Sequence, residues 1–336
     1  MGEVADSISL TTGIETLGAR LRQARASIGR VIFGQEEVVD QVLITLLSGG
    51  HVLLVGVPGL GKTKLVQTLG TVMGLDERRV QFTPDLMPAD ILGSEVLEEG
   101  ADGKRAFRFL QGPVFCQLLM ADEINRASPR TQSALLQAMQ EHKVAIGGQI
   151  LALPEPFHVL ATQNPIEQEG TYPLPEAQLD RFLLEIEVDY PSAEAERAML
   201  LATTGANEAT ATAAMTGQEL IAAQQLIRRI PVGHQVVDAI LKLVRGARPS
   251  SSGSGPDGLP TVRDNLAWGP GPRAAQALML ATRARAVLDG RLSPSLDDVL
   301  ALAEPVLRHR MALSFAARAD GVKLADVIGE LKASLA

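Results

Sequence analysis

The hydrophobic positions of this chain follow three patterns, and each predicts a different element. Residues 13–27 place Ile14, Leu17 and Leu21 on one stripe with Arg20, Arg22 and Arg25 between them, the spacing of an amphipathic helix. A tight apolar turn, Val31-Ile32-Phe33-Gly34-Gln35, leads into a second helical stripe through Val38, Val39, Val42, Leu43 and Leu46. Val52-Leu53-Leu54-Val55 is too short for a helix and wholly apolar, so it predicts a buried strand. Val80-Gln81-Phe82 is a short strand stopped by Thr83-Pro84-Asp85, and Leu118-Leu119-Met120-Ala121 is a strand ending in Asp122-Glu123. Two hairpins are predicted: strands 95–98 and 105–110 joined through Gly100-Ala101-Asp102-Gly103, and residues 143–153 folded around Gly147-Gly148. Between the strand that ends in the acidic pair and that second hairpin, residues 131–142 are expected to form a helix carrying Leu135, Ala138 and Met139. Strand 157–162 runs into Gln163-Asn164-Pro165, and strand 183–188 is closed by Asp189-Tyr190-Pro191.

Beyond Ser192 the strand patterns stop, and helices are expected over 193–201, 219–230, 235–244, 273–288, 296–309 and 324–335. A Ser- and Gly-rich stretch, residues 249–258, separates the third from the fourth as a predicted loop. Residues 41–60 carry no Asp, Glu, Lys or Arg and have the hydropathy of a membrane span, but the break at Ser48-Gly49-Gly50-His51 divides them into helix, turn and strand. At 336 residues two domains are the natural expectation, and 46% hydrophobic residues with only 3% aromatic means a core of aliphatic side chains. The net charge of −8 argues against a surface built to hold nucleic acid. The single Cys116 excludes an intrachain disulfide and reads as a core thiol. No basic-then-apolar leader appears in residues 1–12, so a cytoplasmic protein without membrane insertion is expected.

The candidate chemistry sits where strands end. Gly56-Val57-Pro58-Gly59-Leu60-Gly61-Lys62-Thr63 fits the phosphate-binding P-loop pattern. The glycines let backbone N–H groups turn inward onto phosphates, Lys62 supplies a point charge, and the Thr63 hydroxyl is placed for Mg²⁺. Gly56, Pro58, Gly59, Leu60, Gly61, Lys62, Thr63 and Lys64 are therefore the expected cradle of ATP. Asp122 and Glu123 match a Walker B pair, Asp122 for the metal and Glu123 to polarise the attacking water. Asn164, a turn residue if taken alone, becomes a γ-phosphate sensor beside these motifs. The turn carrying Ile32, Gly34 and Gln35 is either ordinary core or one wall of an adenine pocket.

With these words in place, the chain resembles the MoxR family of AAA+ ATPases. The resemblance runs through Gly34-Gln35-Glu36, Gly50-His51-Val52-Leu53-Leu54, the P-loop, Phe82-Thr83-Pro84-Asp85-Leu86 and Ala121-Asp122-Glu123-Ile124-Asn125-Arg126-Ala127. It continues through Thr131-Gln132-Ser133-Ala134-Leu135-Leu136, Ala161-Thr162-Gln163-Asn164-Pro165-Ile166-Glu167 and Pro175-Glu176-Ala177-Gln178-Leu179-Asp180-Arg181-Phe182. It implies an α/β fold: a five-stranded parallel αβα core over residues 28–191 with β-hairpin inserts, an all-α lid over 192–336, and an N-terminal helix and tail over 1–27. It also implies a hexameric ring in which Arg181 is an arginine finger for the neighbouring subunit's ATP. The rival readings are an ion pair of Arg181 with Asp180 or Glu176, and Arg126 or Arg130 as the intersubunit arginine. Arg273 stands where the family has a lid arginine on the γ-phosphate, although Trp268-Gly269-Pro270-Gly271-Pro272 before it departs from the Ser-Pro-Arg usual there. Arg308-His309-Arg310 is expected to be a packed or solvated helix end with no catalytic role. The resemblance further implies a chaperone that remodels, matures or loads cofactor into client proteins, working with a separate protein that carries a von Willebrand factor type A domain. A DNA-dependent motor and a P-loop kinase or nucleotide switch are the alternatives from other classes.

Overall fold

A computed structural model describes residues 2–99, 105–167, 170–205, 209–249 and 259–335, with side chains from residue 11 onward. The hairpin turn expected at 100–103 lies outside the described residues, as does all of the expected loop 249–258 except Pro249. In chain order the strands are β1 (Val52–Val55), β2 (Glu77–Gln81), β3 and β4 (Gly93–Glu99, Arg105–Gln111), β5 (Leu118–Asp122), β6 and β7 (Lys143–Ile146, Gln149–Ala152), β8 (His158–Gln163) and β9 (Leu184–Glu187). Five of them form one parallel sheet in the order β2-β5-β8-β1-β9. β3–β4 and β6–β7 are the two antiparallel hairpins, each a separate two-stranded unit.

The apolar runs work because both faces of a parallel sheet are covered. Val52 and Leu54 of β1 pack into one core and Leu53, pointing the other way, into a second. The first core takes in the P-loop helix Lys62–Met73 through Leu65, Val66 and Leu69, together with lid residues such as Leu220, Ile227 and Leu278. The N-terminal helix, Gly2–Gly29, buries Ile14, Leu17, Leu21 and Ile28 in this same core. Residues 13–27 are thus part of a longer helix wedged between core and lid, pinned by Arg25 to Asp40 and by Ser27 to the backbone of Thr212. The second core packs helix Pro129–Glu141 against the sheet's other face.

The C-terminal part is helical, with one correction. A short antiparallel ribbon, β10 (Leu266–Trp268) with β11 (Ala312–Leu313), is set among the helices. Strands of three and two residues are too short for alternation to reveal them. No helix among the described residues is long and apolar enough to cross a membrane.

Candidate active site

Parallel strands deliver their chemistry at their carboxyl ends, and the P-loop leaves β1 there. Gly59 and Gly61 stand at φ 88° and 76°, conformations that only glycine adopts without strain. Gly56 is needed for space, since a Cβ on it would lie 2.5 Å from the Val188 carbonyl oxygen. Helix Lys62–Met73 opens directly on the loop, and the amino end of a helix favours an anion. Lys62 is folded back, its Nζ donating to the carbonyls of Gly56 and Val57. Partial burial holds this amine below its usual range, opposed by the charges of Asp122 and Glu123.

Asp122, 9% exposed at the end of β5, is held from two sides. Thr162 Oγ1 donates to its Oδ1 at 2.6 Å and Arg79 Nη2 to its Oδ2 at 2.6 Å. Glu123 follows at φ 56°, ψ 51°, a left-handed conformation fixed by its own N–H donating to Thr162 Oγ1 at 2.8 Å. Its Oε2 accepts from Gln81 Nε2 at 2.7 Å and Arg126 Nη1 at 3.0 Å. Residues 58–64, Asp122, Glu123, Thr162 and Asn164 line one cavity of about 400 Å³. The structure therefore gathers the P-loop, the acidic pair and Asn164. Thr63 and Asp122 present hard oxygen donors to that cavity, the type suited to an ion carried in with phosphates. Among the described residues there is no His, Cys, Asp or Glu cluster able to hold a metal by itself.

A second cavity of about 410 Å³ adjoins the P-loop. Ile32 and Gln35 line it, together with Tyr190 at the end of the core and Met199 and Thr203 of the first lid helix. Gln35 Nε2 donates to the Leu60 carbonyl at 2.9 Å, tying the apolar turn to the P-loop. Gly34 is corrected: it does not line this cavity but lets helix Ala193–Thr203 approach. At φ 66°, a Cβ there would sit 2.3 Å from the Ala195 Cβ.

Arg273, expected as a lid arginine on a γ-phosphate, does not border the P-loop cavity of its own chain. Neither Arg181 nor Arg273 lines the P-loop cavity; both border a separate pocket at the amino ends of the strands. There Leu184 of β9 pairs with Val52, the first residue of β1, so Arg181 sits at the far end of the sheet from the P-loop. Arg181 Nη1 donates to the Leu136 carbonyl at 2.5 Å. Its expected rival partner Asp180 is taken instead by Arg310 at 2.7 Å and Arg273 at 3.7 Å. Arg310, 2% exposed, also donates to the carbonyls of Val306, Phe182 and Leu183, and His309 bonds Phe182 O, so Arg308-His309-Arg310 is a packed helix end. Arg126 is bound within its own chain, to Glu123 and Glu167. Burial pushes the Cys116 thiol up to about 12, as befits a core residue.

Sequence alone assigned Thr162, Arg79 and Gln81 no part in the site. A threonine inside the apolar run 157–162 was the available signal for the first, because a buried hydroxyl must find a partner. Arg79 and Gln81 lie on the sheet's edge strand, where polar residues carry no message of their own.

The fold and the phosphate cradle define a P-loop ATPase of the AAA class. The profile of the ATPase family associated with various cellular activities (AAA) matches residues 51–184, and that of the AAA lid domain matches residues 261–331. The chain is 41% identical over 327 residues to chaperone MoxR1 of Mycobacterium tuberculosis, covering 96% of this chain and 85% of that protein. It is 33% identical to protein MoxR of Paracoccus denitrificans, covering 91% and 92%. A solved structure from Cytophaga hutchinsonii superposes with a TM-score of 0.87 at 34% identity, covering 98% of both chains. This chain belongs to the MoxR family of AAA+ ATPases.

Proposed function

We propose that the protein hydrolyses ATP with Mg²⁺ inside a hexameric ring and uses the cycle to remodel, mature or load cofactor into client proteins. In this reading residues 56–64 bind the phosphates, with Lys62 exchanging its two carbonyl partners for phosphate oxygens. Thr63 and Asp122 would hold Mg²⁺, whose contribution is to neutralise developing phosphate charge. Glu123 orients and deprotonates the attacking water, Asn164 senses the γ-phosphate, and the cavity bounded by Ile32 and Gln35 takes adenine. The observation that carries the proposal is the separation of two sites. The P-loop, acids and Asn164 share one cavity, while Arg181 and Arg273 share another at the opposite end of the sheet. Cations so placed fit the next subunit's ATP, which makes each catalytic site a product of assembly. An arginine supplied in trans is worth roughly 10³–10⁵ in rate.

The chaperone role is supported by the name of the Mycobacterium relative. A partner with a von Willebrand factor type A domain and a cytoplasmic location complete the proposal. The test is a mixing experiment. Arg181→Ala and Lys62→Ala proteins should each be inactive, and their mixture should regain activity because each supplies the half-site the other lacks. Arg273→Ala should behave like Arg181→Ala. Mixed assemblies with no recovered hydrolysis would refute the shared site, and Glu123→Gln protein that turns over normally would refute the base.

A further inference from the structure

We propose that Arg126 is the positioning residue that aims the Glu123 carboxylate and couples it to the loop carrying Asn164; this rests on the reading of Glu123 as base. Arg126 closes the one-turn 3₁₀ segment Ile124–Arg126, and its N–H donates to the Glu123 carbonyl at 2.9 Å, so the guanidinium starts from a fixed point. From there its two terminal nitrogens reach two different acids. Nη1 lies 3.0 Å from Glu123 Oε2, and Nη2 lies 3.0 Å from Glu167 Oε1. Only a planar fork does this; the single ammonium of a lysine does not span both with fixed geometry.

The second anchor matters because of where Glu167 sits. It lies three residues after Asn164, in a turn closed by Ile166 N–H donating to Asn164 Oδ1 at 3.2 Å, and its Oε2 is 3.5 Å from Asn164 Nδ2. Arg126 thereby joins the base and the sensor through one guanidinium. It also gathers both donors to Glu123, itself and Gln81, on Oε2. Among the described residues that leaves Oε1 as the oxygen available to a water in the cavity. Without the guanidinium, Glu123 and Glu167 face each other as like charges and the carboxylate loses one of its two orienting bonds. The backbone of Glu123 would stay in place, because it is held separately by Thr162. The expected defect is therefore in the chemical step rather than in nucleotide binding.

The experiment measures steady-state ATP hydrolysis by the full-length protein alongside binding of a fluorescent ATP analogue and thermal unfolding. Arg126→Ala should lower kcat by about tenfold to a hundredfold, the loss that misplacing a catalytic group by an ångström brings, with KM within about twofold. Arg126→Lys should recover only part of the loss. Glu167→Gln should give a smaller fall in kcat, and the double variant should be no worse than Arg126→Ala alone, since coupled residues are not additive. Glu167 is in a surface loop, so its variant reads out the coupling even if Arg126→Ala folds poorly. Mixing Arg126→Ala with Lys62→Ala subunits should restore nothing, as the residue acts within its own chain. A folded Arg126→Ala protein with unchanged or raised kcat, additive losses in the double variant, or rescue by mixing would each overturn the proposal. If Glu123→Gln is inactive while Arg126→Ala is normal, this inference alone fails; if Glu123→Gln is fully active, the base assignment fails with it.

Discussion

Replacing Thr162 by valine should impair catalysis more than the loss of one hydroxyl suggests. The side chain is 1% exposed, so valine fits the same space and removes only the hydroxyl. That hydroxyl makes two bonds, donating to Asp122 Oδ1 at 2.6 Å and accepting the Glu123 N–H at 2.8 Å. The first is charge-assisted, worth about 1.5–3 kcal/mol, and the second leaves an N–H unpaired at a cost of about 1–3 kcal/mol. The N–H bond also holds Glu123 in a left-handed conformation, whose strain for a non-glycine residue is of order 1–3 kcal/mol. With that bond gone the backbone relaxes and the carboxylate leaves its position in the P-loop cavity. Misplacing a catalytic group by about 1 Å costs roughly 10² in kcat. Thr162→Val should therefore lose that factor in kcat, bind ATP within several-fold of the parent, and unfold at lower temperature. Thr162→Ser should retain most of both properties. Steady-state hydrolysis, titration with a fluorescent ATP analogue and thermal unfolding measure the three quantities. A Thr162→Val protein with parental kcat would show that the hydroxyl does not position the acidic pair.

Gly34→Ala should raise the KM for ATP several-fold while leaving inhibition by tripolyphosphate unchanged. The new methyl collides with Ala195 and pushes the lid helix off the cavity proposed for adenine, sparing the phosphate cradle; equal affinity for ATP in parent and variant would refute this. Acid should destabilise the fold through two buried histidines. Burial, reinforced by neighbouring imidazoles, lowers His51 to about 3 and His158 to about 4. Unfolded, both titrate near 6.5, so below that pH the unfolded chain binds more protons and stability falls. The loss is absent above pH 6.5, reaches about 2 kcal/mol per histidine at pH 5 and continues toward the folded-state values. Urea unfolding at pH 7 and pH 5 reads it, and a His158→Gln variant with an undiminished pH slope would contradict the assignment. Cys116 should resist iodoacetamide in the native state and react on unfolding, because its thiol is buried and held at about 12; rapid native labelling would place it at the surface instead.

Why part of this site was legible in the sequence, and part was not, has a physical cause. The P-loop and the acidic pair were readable because each is a local arrangement at a strand end, where a handful of consecutive residues dictates the backbone. The apolar turn at Ile32 read equally as core or as one wall of a pocket, and the residues facing it across the cavity, Tyr190 and Met199, gave no signal. They come into place only when the sheet is complete and the lid folds back. Gly34 shows the same limit in reverse: adjacent in sequence to pocket residues, it serves the packing of a helix more than 150 residues onward. Arg273 is the most instructive case. The resemblance suggested a role on a γ-phosphate, but tertiary packing sets the helix it opens beside Asp180 and Arg181, at the far end of the sheet from its own P-loop. A motif fixes which side chain is offered, and the packing of the lid fixes which pocket it borders. The two arginines are spatially joined to each other rather than to the P-loop, so the same substitution at either should give the same phenotype. Lys62→Ala, in contrast, should remove nucleotide binding, which neither arginine variant does.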